Sequence, residues 1–192
     1  MLPRAIGVLF GRAKRAIFAN ASLSSFVKNR LGAFPFVRFP IVPGHEIAGV
    51  VEEVGSGVKA WKAGARAGLS VLYSSCGTCV QCTRGAENLC PVWEWTGMMH
   101  DGGYAEFVIA RADYAVPLPD ELTDVEIAPL MCAGVTVYGG LIHSGVRAGQ
   151  RVAVIGLGGL GHLAFCTRVQ SERVWRFSRH MRVKKRRPVQ LP

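Results

Sequence analysis

Acidic residues are missing from the first 45 positions of this 192-residue chain, which hold seven Lys or Arg residues. Glycine is missing from the other end, since none of the 23 glycines lies beyond Gly161. Between these ends, residues 46–166 carry twelve acidic and seven basic residues, so the formal charge of +10 comes entirely from the two ends. Because a nucleic-acid-binding domain carries its positive charge on the folded domain, we expect no nucleic-acid partner.

Long apolar runs are also missing. No uninterrupted stretch approaches the roughly 20 residues that a transmembrane helix needs, so we expect no membrane partner. The first 30 residues are basic, contain serines and lack acids, and they allow two interpretations. One is an irregular segment of a cytoplasmic protein. The other is a mitochondrial transit peptide, which has this composition.

Cysteine is absent from the first 75 positions and then occurs four times within fifteen residues, with the spacing C-x2-C-x2-C-x7-C. We call these four residues the cysteine quartet: Cys76, Cys79, Cys82 and Cys90. The two-residue gaps let neighbouring thiolates turn toward one point, and the longer gap closes the ligand shell. Four sulfur ligands are typical of a closed, tetrahedral structural zinc site, which stabilises a loop and leaves no position for a substrate.

Two other interpretations of the quartet stay open. An iron–sulfur cluster is suggested by the Cys90-Pro91 pair, but bacterial ferredoxins have three residues in the last gap where this chain has seven. Disulfides would suit a small secreted domain, yet the N-terminal residues show no uninterrupted apolar core of a secretory signal. The spacing favours zinc over both.

The residue pattern divides the chain into four segments. Residues 1–40 are an atypical basic segment, 41–146 a β-rich domain, 147–166 the start of an α/β domain, and 167–192 a basic tail that we expect to be disordered. In the β-rich domain, β-branched and alternating patterns predict strands over 47–54, 71–73, 104–109 and 115–119. Two helices are predicted after these strands, over 124–130 and 133–144, the first with acids in its first turn.

A glycine-rich turn follows a nearly all-apolar run over 151–155, which predicts a strand of a buried parallel sheet. Gly156, Gly158 and Gly161 form the pattern G-x-G-x-x-G, with Gly159 between them, and a helix is predicted next. The first glycine makes the tight turn, the second admits a pyrophosphate and the third lets helix and strand pack closely, so the pattern predicts NAD or NADP binding. No carboxylate lies about 20 residues further on to hold the ribose, which leaves the choice of coenzyme open.

A second metal site is one interpretation of two separated residues. His45 precedes Glu46 just before a predicted strand, and Cys132 lies far down the chain. A histidine and a cysteine on separate elements can meet at one ion. The alternative is a buried Cys132 and a solvated His45.

The order of five motifs resembles the zinc-dependent medium-chain alcohol dehydrogenase family. The motifs are residues 44–46, the cysteine quartet, and residues 101–106, 132–138 and 156–161. The resemblance covers roughly residues 40–165 and implies a GroES-like, β-barrel-type domain followed by the first β-α unit of a Rossmann domain. It also implies an oxidoreductase that exchanges a hydride between a small alcohol or aldehyde and NAD(P), with Zn²⁺ as cofactor.

The same resemblance implies roles for single residues. His45 and Cys132 would ligate a catalytic zinc, with Glu46 beside it as a supporting or alternate ligand, and Gly156, Gly158, Gly159 and Gly161 would bind the coenzyme. Family members carry a further cysteine ligand upstream of the Gly-His-Glu motif, whereas residues 1–44 contain no cysteine. The resemblance therefore implies a truncated fragment with an incomplete catalytic site, compatible with a homo-oligomer. The alternative is a non-catalytic zinc module that folds around the quartet or pairs with a full-length relative.

Overall fold

The computed structural model describes residues 5–8, 37, 39–147, 150, 152–156 and 158–167. Most of the predicted basic segment and nearly all of the predicted tail therefore lie outside the described residues. In the described ranges, seven short strands form three separate antiparallel sheets, in the orders β1-β6, β2-β3-β7 and β4-β5. They are β1 (Ala5–Val8), β2 (Ile47–Val50), β3 (Arg66–Leu69), β4 (Leu72–Ser74), β5 (Glu94–Trp95), β6 (Val108–Arg111) and β7 (Val116–Pro117).

Two of the sheets, β1-β6 and β2-β3-β7, contribute to one hydrophobic core. Its buried members come from β2, β3, β6 and the residue after β2: Ile47, Val51, Ala67, Leu69, Val108 and Ala110. Burial alternates along β6, where Val108 and Ala110 are buried and Ile109 is exposed. Such alternation is expected of an antiparallel sheet with one face toward the core. In the part of the chain that the structure describes, the strands do not close into the predicted barrel.

Four α-helices lie in the described residues, and the three that follow the last strand agree with the sequence prediction. The four helices are α1 (Val80–Thr83), α2 (Asp124–Ile127), α3 (Ala133–His143) and α4 (Gly159–Cys166), with 3-10 turns at Glu87–Leu89, Ala112–Tyr114 and Ala128–Met131. The predicted helix over 124–130 is confirmed as α2 and the 3-10 turn after it. Its start is stabilised by Glu126, whose carboxylate accepts the Thr123 N–H at 2.9 Å and completes a capping box.

Three predicted strands are wrong in detail. The strand expected over 47–54 ends at Val50. The strand expected over 104–109 begins only at Val108, because the backbone N–H groups of Gly103 and Tyr104 bind carbonyls of residues 43 and 44 instead of a neighbouring strand. The strand expected over 151–155 is not formed in the described residues 152–156, and Ile155 is 88% exposed. A strand exists only through a paired neighbour, and the described part of the chain offers none there.

No single helix among the described residues is long and apolar enough to cross a bilayer. Together, Asp124–Met131 and Ala133–His143 have the length and apolar composition of a membrane span, but the chain bends by 53° between them.

Candidate metal centres and coenzyme-binding turn

The cysteine quartet converges on one point. Its four sulfur atoms all lie within 4.8 Å of one another. Cys82 Sγ lies 3.5 Å from the Cys79 sulfur and 3.8 Å from the Cys76 sulfur. Four sulfurs placed tetrahedrally around zinc at 2.3 Å are about 3.8 Å apart, so the arrangement fits a closed zinc site. The quartet cysteines and Cys132 are free thiols, which goes against the disulfide interpretation.

Local hydrogen bonds favour the thiolate at two quartet sulfurs, Cys76 and Cys82. At Cys79, the backbone N–H of Cys82 lowers the pKa, but desolvation and the contacts with the Cys82 and Cys76 sulfurs outweigh it and raise the pKa to about 11. The backbone N–H groups of Thr78 and Cys79, and the Thr78 hydroxyl, lower the pKa of Cys76 to about 6. A hydrogen bond with the Ser75 hydroxyl, 3.3 Å from the sulfur, lowers the pKa of Cys82. Zinc binds the thiolate form of cysteine, so these contacts favour the state that a metal needs.

Strands β4 and β5 close the base of the quartet loop. Ser74 and Glu94 are paired across the two strands and hydrogen-bonded through their side chains. The Glu94 carboxylate also lies 3.1 Å from His100 Nε2, and the His100 ring stacks on Tyr73 with 3.6 Å between ring centroids. The quartet loop is therefore connected to the rest of the domain through the paired strands β4 and β5, which these side-chain contacts stabilise.

Sequence reasoning missed two residues that support the quartet. The Tyr114 hydroxyl lies 2.9 Å from both the backbone nitrogen and the hydroxyl of Ser75, the residue that contacts Cys82. Tyr114 is 39 positions away from Ser75 in the sequence, and no local pattern marks either residue.

His45 lies in the interior, not in solvent. It is only 6% exposed, and desolvation by burial lowers its pKa. The imidazole is therefore neutral at physiological pH, which is the form that binds metals. This burial is contrary to the alternative of a solvated His45.

Glu46 and Cys132, from two distant motifs, meet at the start of α3. Glu46 is 9% exposed, and its Oε1 accepts a hydrogen bond from the Ala133 N–H at 3.1 Å. Burial, and then the nearby Glu46 charge, raise the pKa of Cys132, which directly precedes the helix. Within the described residues, the quartet is the only group of three or more His, Cys, Asp or Glu side chains at common metal-binding distance. The assignment of His45, Glu46 and Cys132 to a catalytic zinc stays a prediction.

The glycine-rich turn has the backbone that its pattern predicts. Gly156 has a φ of +91°, in the left-handed region that favours glycine. Gly158 is the N-cap of α4, and a Cβ atom at Gly161 would overlap the Gly156 carbonyl oxygen. Helix α4 also packs against α3, the helix that follows Cys132. Coenzyme contacts of Gly156, Gly158, Gly159 and Gly161 stay a prediction.

Comparison with known proteins identifies the family. Residues 19–120 match the alcohol dehydrogenase GroES-like domain. An alcohol dehydrogenase of Geobacillus stearothermophilus is 52% identical over 127 residues, which are 66% of this chain and 38% of that protein. The chain thus spans less than half the length of this relative.

Solved structures agree. The crystal structure of CAD from Helicobacter pylori complexed with NADP(H) has a TM-score of 0.76 at 29% identity, covering 91% of this chain and 50% of that one. The cobalt- and zinc-bound thermostable alcohol dehydrogenase from Pyrobaculum aerophilum has a TM-score of 0.66 at 29% identity, covering 84% and 45%. The sequence-based interpretation is confirmed, and the chain belongs to the zinc-dependent medium-chain alcohol dehydrogenase family, with a GroES-like domain and the start of a Rossmann domain.

Proposed function

We propose that this chain is the catalytic-domain part of a zinc- and NAD(P)-dependent alcohol dehydrogenase acting on a small alcohol or aldehyde. The observation that carries the proposal is the contact between Glu46 and the Ala133 N–H, which brings the His45–Glu46 pair next to the helix start at Cys132. The relatives support it, since the Geobacillus protein is named an alcohol dehydrogenase and the Pyrobaculum structure holds zinc.

His45 and Cys132 supply two of the three protein ligands that a catalytic zinc site normally has. His45 offers a neutral imidazole and Cys132 a thiol, and these two residues would hold the ion. The Glu46 carboxylate accepts the Ala133 N–H at the start of α3. Through this hydrogen bond it orients the helix that Cys132 precedes. When bound, zinc supplies the Lewis acidity that lowers the pKa of an alcohol hydroxyl. Burial of His45 and Glu46 keeps water away from this side of the site.

The coenzyme would lie at the start of α4. Backbone N–H groups at Gly158 and Gly159 suit a pyrophosphate, because a helix N-terminus favours an anion. The left-handed turn at Gly156 and the close approach at Gly161 support this placement. The Helicobacter structure holds NADP(H), and we propose NAD or NADP here as the hydride acceptor.

A non-catalytic zinc module is the second candidate. It is favoured by one observation, that the quartet is the only metal-binding group within the described part of the chain. In both cases we expect no nucleic-acid or membrane partner, and self-association into a homo-oligomer remains an expectation. We place the protein in the cytoplasm, with mitochondria as the alternative.

Metal counting and turnover separate the two candidates. The purified chain is analysed for zinc by mass spectrometry and assayed with a primary alcohol and NAD⁺ or NADP⁺ at 340 nm. Two zinc ions per chain with turnover support the dehydrogenase, whereas one zinc ion and no turnover support the module. Cys132→Ser should remove one zinc and the turnover, while the matched change Cys166→Ser should remove neither. A chain that retains no tightly bound zinc would contradict both candidates.

A further inference from the structure

We infer that residues 101–103 are a positioning clamp for His45 and Glu46, an inference that rests on the proposed function of that pair. The motif over 101–106 is one of the five motifs of the family resemblance, and the proposed function assigns no role to it. In the structure it binds the three residues that precede His45. We call residues 101–103 the 101–103 clamp.

Backbone hydrogen bonds form the first part of the argument. The Val42 N–H donates to Asp101 Oδ1 at 2.8 Å, and the Gly102 N–H donates to the Val42 carbonyl at 2.7 Å. One residue further on, the Gly103 N–H donates to the Gly44 carbonyl at 3.0 Å. The neighbouring Tyr104 N–H donates to the Pro43 carbonyl at 2.9 Å. Residues 42–44 are therefore bound at every position.

Close backbone packing forms the second part. Gly44 has a φ of +100°, which an L side chain rarely adopts. A Cβ atom at Gly97 would lie 2.8 Å from the Gly44 nitrogen, and one at Gly102 would overlap the Gly44 carbonyl oxygen. The contact thus requires glycine at position 44 and at positions 97 and 102, and the backbone of residues 97 and 102 packs directly against that of Gly44.

The hydrogen bonds to residues 42–44 restrict the position of His45 and Glu46, because these two residues directly follow Gly44. The 101–103 clamp binds the chain up to Gly44, and β2 begins at Ile47, where ladder hydrogen bonds to β3 take over. His45 and Glu46 are the two residues between these anchors, and both are buried. The clamp therefore sets where the imidazole and the carboxylate lie, and the exposed Asp101 carboxylate acts on this segment through the Val42 N–H.

The Asp101 side chain offers a sharp test. The variants are Asp101→Ala, which removes the acceptor, and Asp101→Asn, which keeps an Oδ1 acceptor for the Val42 N–H. Asp120→Ala is the matched control, since the Asp120 side chain is 96% exposed. Histidine ring signals are recorded by ¹H–¹³C NMR on the full, zinc-loaded chain, with the His45 signal identified from its loss in His45→Gln.

We expect the His45 signal to shift or broaden in Asp101→Ala and to return to its wild-type position in Asp101→Asn. The Asp120→Ala control should leave the His45 signal in place, and the signal of His143, on α3, should stay unchanged in all three variants. An unchanged His45 signal in Asp101→Ala would overturn the inference. A shift of every histidine signal together with loss of the quartet zinc would also overturn it, because that result indicates a general structural role.

A second variant tests the packing. Gly102→Ala should displace the His45 signal more than Asp101→Ala does, because the new methyl group meets the Gly44 carbonyl. If Gly102→Ala does not fold, the Asp101 variants alone test the inference. The readout needs neither turnover nor a second zinc ion. An inactive chain whose His45 signal follows the Asp101 series would support the clamp and contradict the dehydrogenase, so the two failures are distinguishable.

Discussion

The Glu46 carboxylate accepts a hydrogen bond from the Ala133 N–H at 3.1 Å, across 87 positions of the sequence. Helix α3 has no side-chain cap of its own, since the N-cap position is occupied by Cys132. Glu46 therefore caps the helix from outside, and a negative charge at a helix N-terminus is stabilised by the aligned peptide dipoles. The same bond joins the two motifs from which a catalytic zinc site would be built.

Removal of the Glu46 carboxylate should destabilise the domain. In Glu46→Ala the buried Ala133 N–H loses its acceptor, and we expect the free energy of unfolding to fall by about 1–3 kcal/mol. Glu46→Gln keeps an acceptor oxygen and should cost less. Urea unfolding followed by circular dichroism measures both. The control is Glu53→Ala at an exposed position, where the stability should hardly change; an equal loss in this control and in Glu46→Ala would refute the cap.

Arg66 attaches the segment before α2 to strand β3. Its guanidinium donates to the Pro119 and Leu122 carbonyls and to the Asp124 carboxylate, the last at 2.6 Å. We expect Arg66→Ala to lower the free energy of unfolding by about 1.5–3 kcal/mol, the range for hydrogen bonds to charged groups.

Arg66→Lys should restore only part of this stability, because an ammonium group cannot copy the planar fork of donors. Lys62→Ala, at an exposed position, is the control. Thermal and urea unfolding of the three variants provide the measurement. If Arg66→Ala is as stable as Lys62→Ala, the described hydrogen bonds contribute nothing to the fold.

The Tyr114 hydroxyl should tune the affinity of the quartet for zinc. It holds Ser75, whose own hydroxyl contacts the Cys82 sulfur at 3.3 Å. Groups that orient metal ligands typically change affinity by 10–100-fold, and we expect a loss of about tenfold in Tyr114→Phe. Competition with a chromophoric chelator measures the affinity. Tyr138→Phe, at a side chain exposed on α3, should leave it unchanged; a similar loss there would contradict the role of the Ser75 contact.

The thiol of Cys76 should titrate at lower pH than the thiol of Cys132. Hydrogen bonds from Thr78 and Cys79 lower the pKa of Cys76 to about 6, whereas burial raises that of Cys132. Only the thiolate is alkylated, so the reaction rate of a thiol rises with pH until its pKa is passed. After brief zinc chelation, alkylation of Cys76 by iodoacetamide should therefore level off just above pH 6, while Cys132 should react slowly and still accelerate at pH 9.

Peptide mass spectrometry assigns each modified cysteine in this experiment. Added Zn²⁺ should protect Cys76 completely, since the quartet sulfurs are then metal ligands. A Cys76 rate that continues to rise up to pH 9 would show that the backbone N–H groups do not stabilise its thiolate.

Local patterns allowed the best sequence predictions. The quartet lies within fifteen residues, so its spacing alone restricts where the sulfurs meet, and the structure brings them together. The helix at α2 was also predictable, because Glu126 reaches back to Thr123 within one turn. The strand over 151–155 was wrong because an apolar run does not reveal whether a partner strand is present.

Long-range contacts explain what the sequence could not reveal. The bond between Glu46 and Ala133 and the bond between Tyr114 and Ser75 span 87 and 39 positions, and no spacing rule reaches so far. The residues alone suggested a metal site of His45 and Cys132, and only the family resemblance added Glu46 to this prediction. The start of β6 was misplaced for a related reason, since Gly103 and Tyr104 give their N–H groups to residues 43 and 44.

The glycine at position 161 should be required for coenzyme binding. A methyl group there would overlap the Gly156 carbonyl oxygen and push α4 away from the turn, so the N–H groups at Gly158 would no longer converge on a pyrophosphate. We expect Gly161→Ala to weaken NADH or NADPH binding at least tenfold, or by about 1.4 kcal/mol, measured by coenzyme fluorescence. The matched control is Gly140→Ala in α3, where a methyl group meets nothing within 4 Å and should increase helix stability. Equal coenzyme affinity in both variants would show that the turn does not bind the pyrophosphate, whatever the metal content of the chain.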